Sequence, residues 1–299
     1  MPQLKEVLLK INGIKKTKQI TKAMNMVAAS RLRGAQSNME NFRPYAAKFA
    51  EVLGSLAESA GEEAGPLLVP REAPQKVNIV LTTSDRGLCG GFNFNLIHKV
   101  AALAKEKAEQ GMDVSITCFG KKGRDWARNQ KQTIAEQYIG IVGGSFGFNV
   151  AVKAGRELVK SYLDGDYDEV YIVYAQFVGM AKQVPLIKQL LPIPPIEKAE
   201  EEAKTGAEDD VYLAEHICEP STDALLGVLL PKSVDVQIYS ALLETSTSEH
   251  AARMMAMDNA TKACNDMLDN LQLLYNKARQ AAITADLMDI VGGAEALKG

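Results

Sequence analysis

His250–Ala285, HAARMMAMDNATKACNDMLDNLQLLYNKARQAAITA, carries the pattern from which the fold follows. In this stretch His250, Met254, Met257, Thr261, Cys264, Leu268, Leu271, Tyr275, Ala278, Ala282 and Ala285 step alternately by four and three residues, the seam of a coiled coil sustained over five heptads. A helix of that length must cover its stripe, and the other end of the chain offers a partner. From Leu4 to about Ala60 the only proline is Pro44, and apolar residues recur through Leu4, Leu8, Ile11 and Ile14. Ile20, Met24, Val27, Arg31 and Gly34 then repeat the step of four and three. At about 1.5 Å per residue the two helices reach roughly 80 to 110 Å, so their stripes are buried against each other or against partners. Paired as an antiparallel coiled coil, the chain ends make a rod. Its knobs shrink to alanine towards the C-terminus. Ala281, Ile283, Leu287, Met288, Ile290 and Val291 give that tip an apolar surface with no partner in the chain, beside the polar Arg279, Gln280, Thr284, Asp286 and Asp289. The tip is either a solvated helix end or an insert for a socket in another protein.

Working inward, Gly61 to Pro74 collects Gly65, Pro66, Pro70 and Pro74, which end a helix and read as a linker. The texture then changes. VNIVLTT (Val77 to Thr83) is a β-branched run followed by a glycine-rich turn and a helix. The order repeats with a strand at Val114 to Phe119, a helix from Lys121 to Asn129 and a short strand near Gln137 to Val142. After GGSFG (Gly143 to Gly147) come a helix from about Asn149 to Leu163, a strand at Val170 to Phe177 and an antiparallel edge strand at Val184 to Leu191. Alternating strands and helices predict a small, mostly parallel, Rossmann-like sheet with helices packed on it. The fold class is therefore α/β, with long terminal coiled-coil helices flanking the sheet. Its parts are a helix over 1–60, a linker over 61–75, the α/β middle domain over 76–195, an acidic connection over 196–220 and a helix over 221–299 that Pro231 breaks and Gly227 weakens.

The 299 residues are 46% hydrophobic and 6% aromatic, enough for a core and biased towards helix. The net charge of -3 conceals segregation. Residues 1–48 carry ten Lys or Arg against Glu6 and Glu40, whereas Glu197 to Asp223 holds ten acids against Lys198 and Lys204. Cys89, Cys118, Cys218 and Cys264 form no CxxC pair and have no histidine at ligand spacing, which argues against a zinc site or a disulfide framework and fits a reducing cytoplasm. No run approaches the roughly 18 apolar residues that cross a bilayer, and MPQLKEVLLK lacks the apolar core of a secretory signal.

The string SDRGLCGGFN (Ser84 to Asn93), between a strand and a helix, is placed like a phosphate-binding turn. It lacks both GxxxxGK[ST] and GxGxxG spacing, so Gly87, Gly90 and Gly91 read as allowing a tight turn, Asp85 and Arg86 as local polar contacts and Cys89 as structural. His98, His216 and His250 are too scattered to hold a metal. The basic run Lys15, Lys16, Lys18, Lys22, Arg31 and Arg33 is a solvated face, a collar for an acidic protein surface, or a phosphate track without the aromatics that usually accompany one.

ITKAMNMVAASRLR (Ile20 to Arg33), SDRGLCGGFN and LQLLYNKARQAAITADLMDIVGGAEAL (Leu271 to Leu297) together resemble the gamma subunit family of F-type ATP synthases over nearly the whole chain. The resemblance implies a non-catalytic rotor without cofactor. In it the paired helices lie on the axis of a hexamer of alpha and beta subunits, and proton-driven rotation of a ring of c subunits turns the shaft and cycles the catalytic beta sites. Arg279, Gln280 and Thr284 match positions that grip beta, with Met24 close to that contact. Lys15, Lys18, Lys22, Arg31 and Arg33 become candidates to meet acidic beta loops. Tyr212 and Glu219, in YLAEHICEP, match the foot that meets epsilon and the c-ring. The absence of an organelle presequence and of the chloroplast cysteine insertion implies a bacterial protein on the cytoplasmic side of the inner membrane. It would touch the membrane only through partners, and would bind no nucleic acid.

Overall fold

The computed structural model describes residues 4–60, 65–194 and 222–297. The elements are α1 (Leu4–Ala60), β1 (Lys76–Thr82), α2 (Phe92–Glu109), β2 (Asp113–Phe119), α3 (Lys121–Asn129), β3 (Thr133–Tyr138), α4 (Phe148–Leu163), β4 (Glu169–Phe177), β5 (Gln183–Leu191) and α5 (Thr222–Ala296). The chain divides into two compact units, one formed by Met1–Ser30 with Arg253–Gly299 and the other by Arg31–Ala252.

In the first unit α1 and α5 pack antiparallel. Asn25 Nδ2 donates to the Met254 carbonyl at 2.8 Å and the Thr21 and Thr261 hydroxyls meet at 2.8 Å, so numbers rise on one helix as they fall on the other. The α5 seam holds the predicted register, with Met257 and Cys264 buried and Thr261, Leu268, Leu271, Tyr275 and Ala278 half-buried. On α1 the register differs. Ile20 and Val27 are 59% and 56% exposed, and the buried row is Val7, Ile11, Thr21 and Ala28, one residue further along, with Met24 half-buried. Two rows of α1 carry a four-and-three step, and hydrophobicity alone favours the wrong one. The row that packs is smaller and more polar because Thr21 and Asn25 bond across to α5 and let the helices approach.

In the second unit the sheet order is β3-β2-β1-β4-β5, with four parallel strands and β5 antiparallel at the edge. Alternation along β1 sends Val77, Ile79 and Leu81 to one face, where they pack with Phe92, Leu96 and Val100 of α2. Val80 and the β4 residues Val170 and Ile172 face the other way, against Leu53 and Leu56 of α1, Leu158 and Tyr162 of α4, and Leu226, Leu230, Val234 and Ile238 of α5. Strand β3 lies earlier than predicted. The apolar Ile139–Val142 reads as strand by composition, but Gly140 turns left-handed at φ 82°, and the paired residues are Thr133 to Tyr138.

Helix α5 also runs unbroken through Gly227 and Pro231, contrary to expectation. An internal proline costs about 3 kcal/mol. Burial of Leu226, Leu230 and Val234 on either side of Pro231 outweighs it, since each buried aliphatic side chain contributes about 1.5–3 kcal/mol. Helix α5 contains an 18-residue window of mean hydropathy 1.2, long and apolar enough by composition to cross a membrane, although 44% of that window is buried inside the protein. Where α4 meets α5, the Asp235 carboxylate occupies the space left by Gly155, and a Cβ there would overlap it. Burial pushes the Asp235 carboxyl up to about 6, against the opposing pull of Arg156 and Lys232.

The segment before β1 is pinned to the second unit. Arg71 pairs with Asp168 at 2.5 Å, the Gln75 and Lys76 amides donate to the same carboxylate at 2.7 and 2.8 Å, and the Ile193 amide donates to the Leu67 carbonyl at 2.8 Å.

Candidate functional site

In an open, doubly wound sheet, ligands bind where two parallel strands part at their C-terminal ends and the connections leave in opposite directions. Here that point lies between β1 and β4. Their ladder runs from Val77↔Glu169 to Leu81↔Val173, and beyond it the polar groups of β4 need another partner. Helix α5 supplies one. The Ala175 amide donates to Thr245 Oγ1 at 3.4 Å, and the Ser248 hydroxyl donates to the Ala175 carbonyl at 3.1 Å. Thr245 and Thr82 hydroxyls meet at 3.0 Å, and Thr82 donates to the Val173 carbonyl at 2.9 Å.

Because each hydroxyl has one proton, the direction of this chain is determined. Thr82 spends its proton on Val173, so Thr245 donates to Thr82 and accepts from Ala175. The relay leaves β4 at one residue, passes through α5 and β1, and returns to β4 two residues away. Thr82, Thr245 and Ser248 are all 0% exposed. The Phe177 amide adds a bond to Glu244 Oε2 at 3.4 Å, and burial raises the Glu244 carboxyl above its ordinary value. The crevice that other doubly wound proteins offer to a nucleotide is filled by the chain's own helix.

The SDRGLCGGFN turn is filled as well. Asn93 Oδ1 accepts from the Ser84 amide at 3.0 Å, and Asn93 Nδ2 donates to Ser84 Oγ at 2.8 Å and to Cys89 Sγ at 3.2 Å. The Lys121 amide donates to Asp85 Oδ1 at 3.0 Å. Its left-handed positions are Leu88 at φ 66° and Gly90 at φ 59°, so only one of the three glycines named from sequence takes a conformation that requires glycine. Cys89 is 2% exposed, and burial pushes the Cys118 thiol up to about 11, which keeps it a thiol. Among the described residues, no group of three or more His, Cys, Asp or Glu converges as metal ligands.

The polar residues of the tip come together. Arg279, Gln280 and Thr284 are exposed within two turns of α5, and Thr284 donates to the Gln280 carbonyl at 2.9 Å. Beside them Ile283, Leu287, Ile290 and Val291 recur at helical spacing and are 51%, 56%, 68% and 58% exposed. Met24 is not near them, contrary to expectation. Its neighbours Thr21 and Asn25 bond Thr261 and Met254, which leaves it about 20 residues, roughly 30 Å, along α5 from Arg279. Lys15, Lys22, Arg31 and Arg33 are exposed and Lys18 is half-buried. Arg31 donates to the Gly143 carbonyl at 3.0 Å, so part of the collar is engaged within the chain. Tyr212 and Glu219 lie outside the described residues. Sequence reasoning missed Thr82, Thr245 and Ser248. The signal was TSTSEH (Thr245 to His250), a run of weak helix formers in the middle of a long helix.

The ATP synthase family matches residues 3–297 of the chain. The ATP synthase gamma chain of Desulfosudis oleivorans is 69% identical over 302 residues, spanning 100% of both chains. The chain belongs to the ATP synthase gamma chain family. The gamma chain of Desulforapulum autotrophicum is 63% identical over 99% of this chain and 100% of its own. Among solved structures, a chain of the central stalk and c-ring of Tetrahymena thermophila mitochondrial ATP synthase superposes with TM-score 0.58 at 26% identity, covering 81% of this chain and 99% of that one. A chain of Euglena gracilis mitochondrial ATP synthase shares the fold with TM-score 0.65 at 20% identity, over 98% of this chain and 94% of its own. As a gamma chain the protein is a central-stalk rotor subunit, belonging to a membrane-associated ATP synthase complex.

Proposed function

We propose that this chain is the non-catalytic axle of a bacterial F-type ATP synthase, turning inside a hexamer of alpha and beta subunits while its foot rides with epsilon on the c-ring. The observation that carries this reading is the end of α5. Four large aliphatic side chains there stand exposed in one helical stripe beside Arg279, Gln280 and Thr284, a surface that suits a close-fitting socket. In the assembly those three residues grip beta. Met24 and the collar of Lys15, Lys18, Lys22, Arg31 and Arg33 meet beta at other levels of the shaft, where charge steers and registers the contact. The foot includes Tyr212 and Glu219, in the acidic connection over 196–220. The filled crevice supports a role without bound nucleotide, with catalysis left to beta. Orientation of one rigid body then biases three catalytic sites in turn. The chain works at the cytoplasmic face of the inner membrane and meets lipid only through its partners.

Two measurements test this. A tagged chain expressed in its own cell co-purifies with alpha and beta subunits, and failure to do so removes the rotor assignment. Replacing Arg279 and Gln280 together by Ala weakens ATP-driven proton pumping in the assembled complex, and unchanged pumping removes the grip assignment alone.

A further inference from the structure

A rotor must not slip against its own core, and the packing of α5 in the second unit shows what opposes slipping. Apolar contacts are non-directional, so they hold the azimuth of a helix through shape alone. Hydrogen bonds to strand backbone are directional and weaken steeply with misalignment. Along α5, Leu226, Leu230, Val234, Ile238 and Leu242 meet the sheet side through apolar contact, and the character then changes at Glu244 to Ser248. There Thr245 and Ser248 hold both polar groups of Ala175, Glu244 holds the Phe177 amide, and the relay through Thr82 closes on Val173. A small turn of α5 would break several bonds together in a buried site where water cannot replace them.

We propose that Thr82, Thr245 and Ser248 are torque-holding residues, positioning groups that lock the azimuth of α5 to β1 and β4 so that rotation of the helix and of the sheet stay coupled. This rests on the rotor reading. The residues touch no substrate and act through the helix they hold.

The test uses the full complex in vesicles, measuring unloaded ATP hydrolysis and ATP-driven proton pumping side by side. Thr82→Val combined with Thr245→Val keeps shape and removes the relay. Hydrolysis stays close to wild type while protons pumped per ATP fall several-fold, and Thr245→Ser, which keeps the hydroxyl, retains the wild-type ratio. A Thr82→Cys, Thr245→Cys pair replaces the relay by a reversible covalent bond. Oxidised it pumps at the wild-type ratio, reduced it loses coupling, and wild type treated identically does not change. A wild-type pumping ratio in the double valine variant overturns the proposal, and so does a cysteine pair whose ratio ignores reduction. A wild-type chain that assembles no pumping complex instead refutes the rotor reading itself.

Discussion

Two stretches of α5 invert the usual relation between polarity and burial. Thr245 to Glu249 is polar throughout and at most 4% exposed, whereas Ile283, Leu287, Met288, Ile290 and Val291 are apolar and at least 51% exposed. Ordinary solubility would reverse both. The buried stretch shows that the interior uses direction as well as area, because hydroxyls there replace the β1 partner that β4 lacks beyond Val173. The exposed stretch shows apolar area offered outward. One helix thus buries directional polar groups in one stretch and exposes apolar area in another.

The sharpest contrast is one substitution made in each place. Leu242→Ala, at a side chain 0% exposed, costs about 2–5 kcal/mol of stability in the isolated full chain, read from urea midpoints. Leu287→Ala, at 56% exposure, stays within about 0.5 kcal/mol. Similar costs at the two sites would break the comparison. A subtler pair removes hydroxyls. Ser248→Ala leaves the buried Ala175 carbonyl without its 3.1 Å donor and costs about 1–3 kcal/mol. Thr284→Ala removes a hydroxyl that bonds only back to its own helix in solvent, and it gains a few tenths of a kcal/mol from helix propensity. A Ser248→Ala variant as stable as wild type would show that water or a shifted strand takes over the bond.

Asp235 adds a pH-dependent version. Burial raises its carboxyl from the ordinary 3.8 to about 6, so the folded state binds the proton more tightly than the unfolded state. The associated stability is fully present below the unfolded value and is lost as pH rises through the folded one. Asp235→Asn removes that slope. Its urea midpoint, compared with wild type across acid to neutral pH, gains most at neutral pH, and a difference that does not change with pH would mean the carboxyl titrates normally.

The sheet was legible because its signals are local: β-branched runs, glycine turns and the switch from period two to helical period. The α5 seam was legible for the same reason, through large knobs such as Met257 and Leu268. What misled was chemistry decided by a distant partner. Ile20 and Val27 are more apolar than Thr21 and Ala28, yet only Thr261 and Met254 on the opposite helix determine which row packs. Pro231 reads as a break because its cost is local while the burial that offsets it is not. The hydroxyls of TSTSEH read as weak helix, and their use is visible only once β1 and β4 part beside them. At the tip, Arg279, Gln280 and Thr284 fall within two turns of one helix by their spacing alone, whereas the height of Met24 along α5 depends on the register of the helix pair.

An equally small change in stability is expected from Arg279→Ala with Gln280→Ala, which bears most directly on the exposed half of the comparison. Both side chains are exposed, so the isolated double variant keeps its urea midpoint to within about 0.5 kcal/mol. In the assembled complex the same variant loses coupling, because groups that do nothing for the free chain act only against a partner. The two readouts must therefore separate. If the isolated variant lost as much stability as Leu242→Ala, the tip would be held by its own chain, and its apolar stripe would need no socket to explain it.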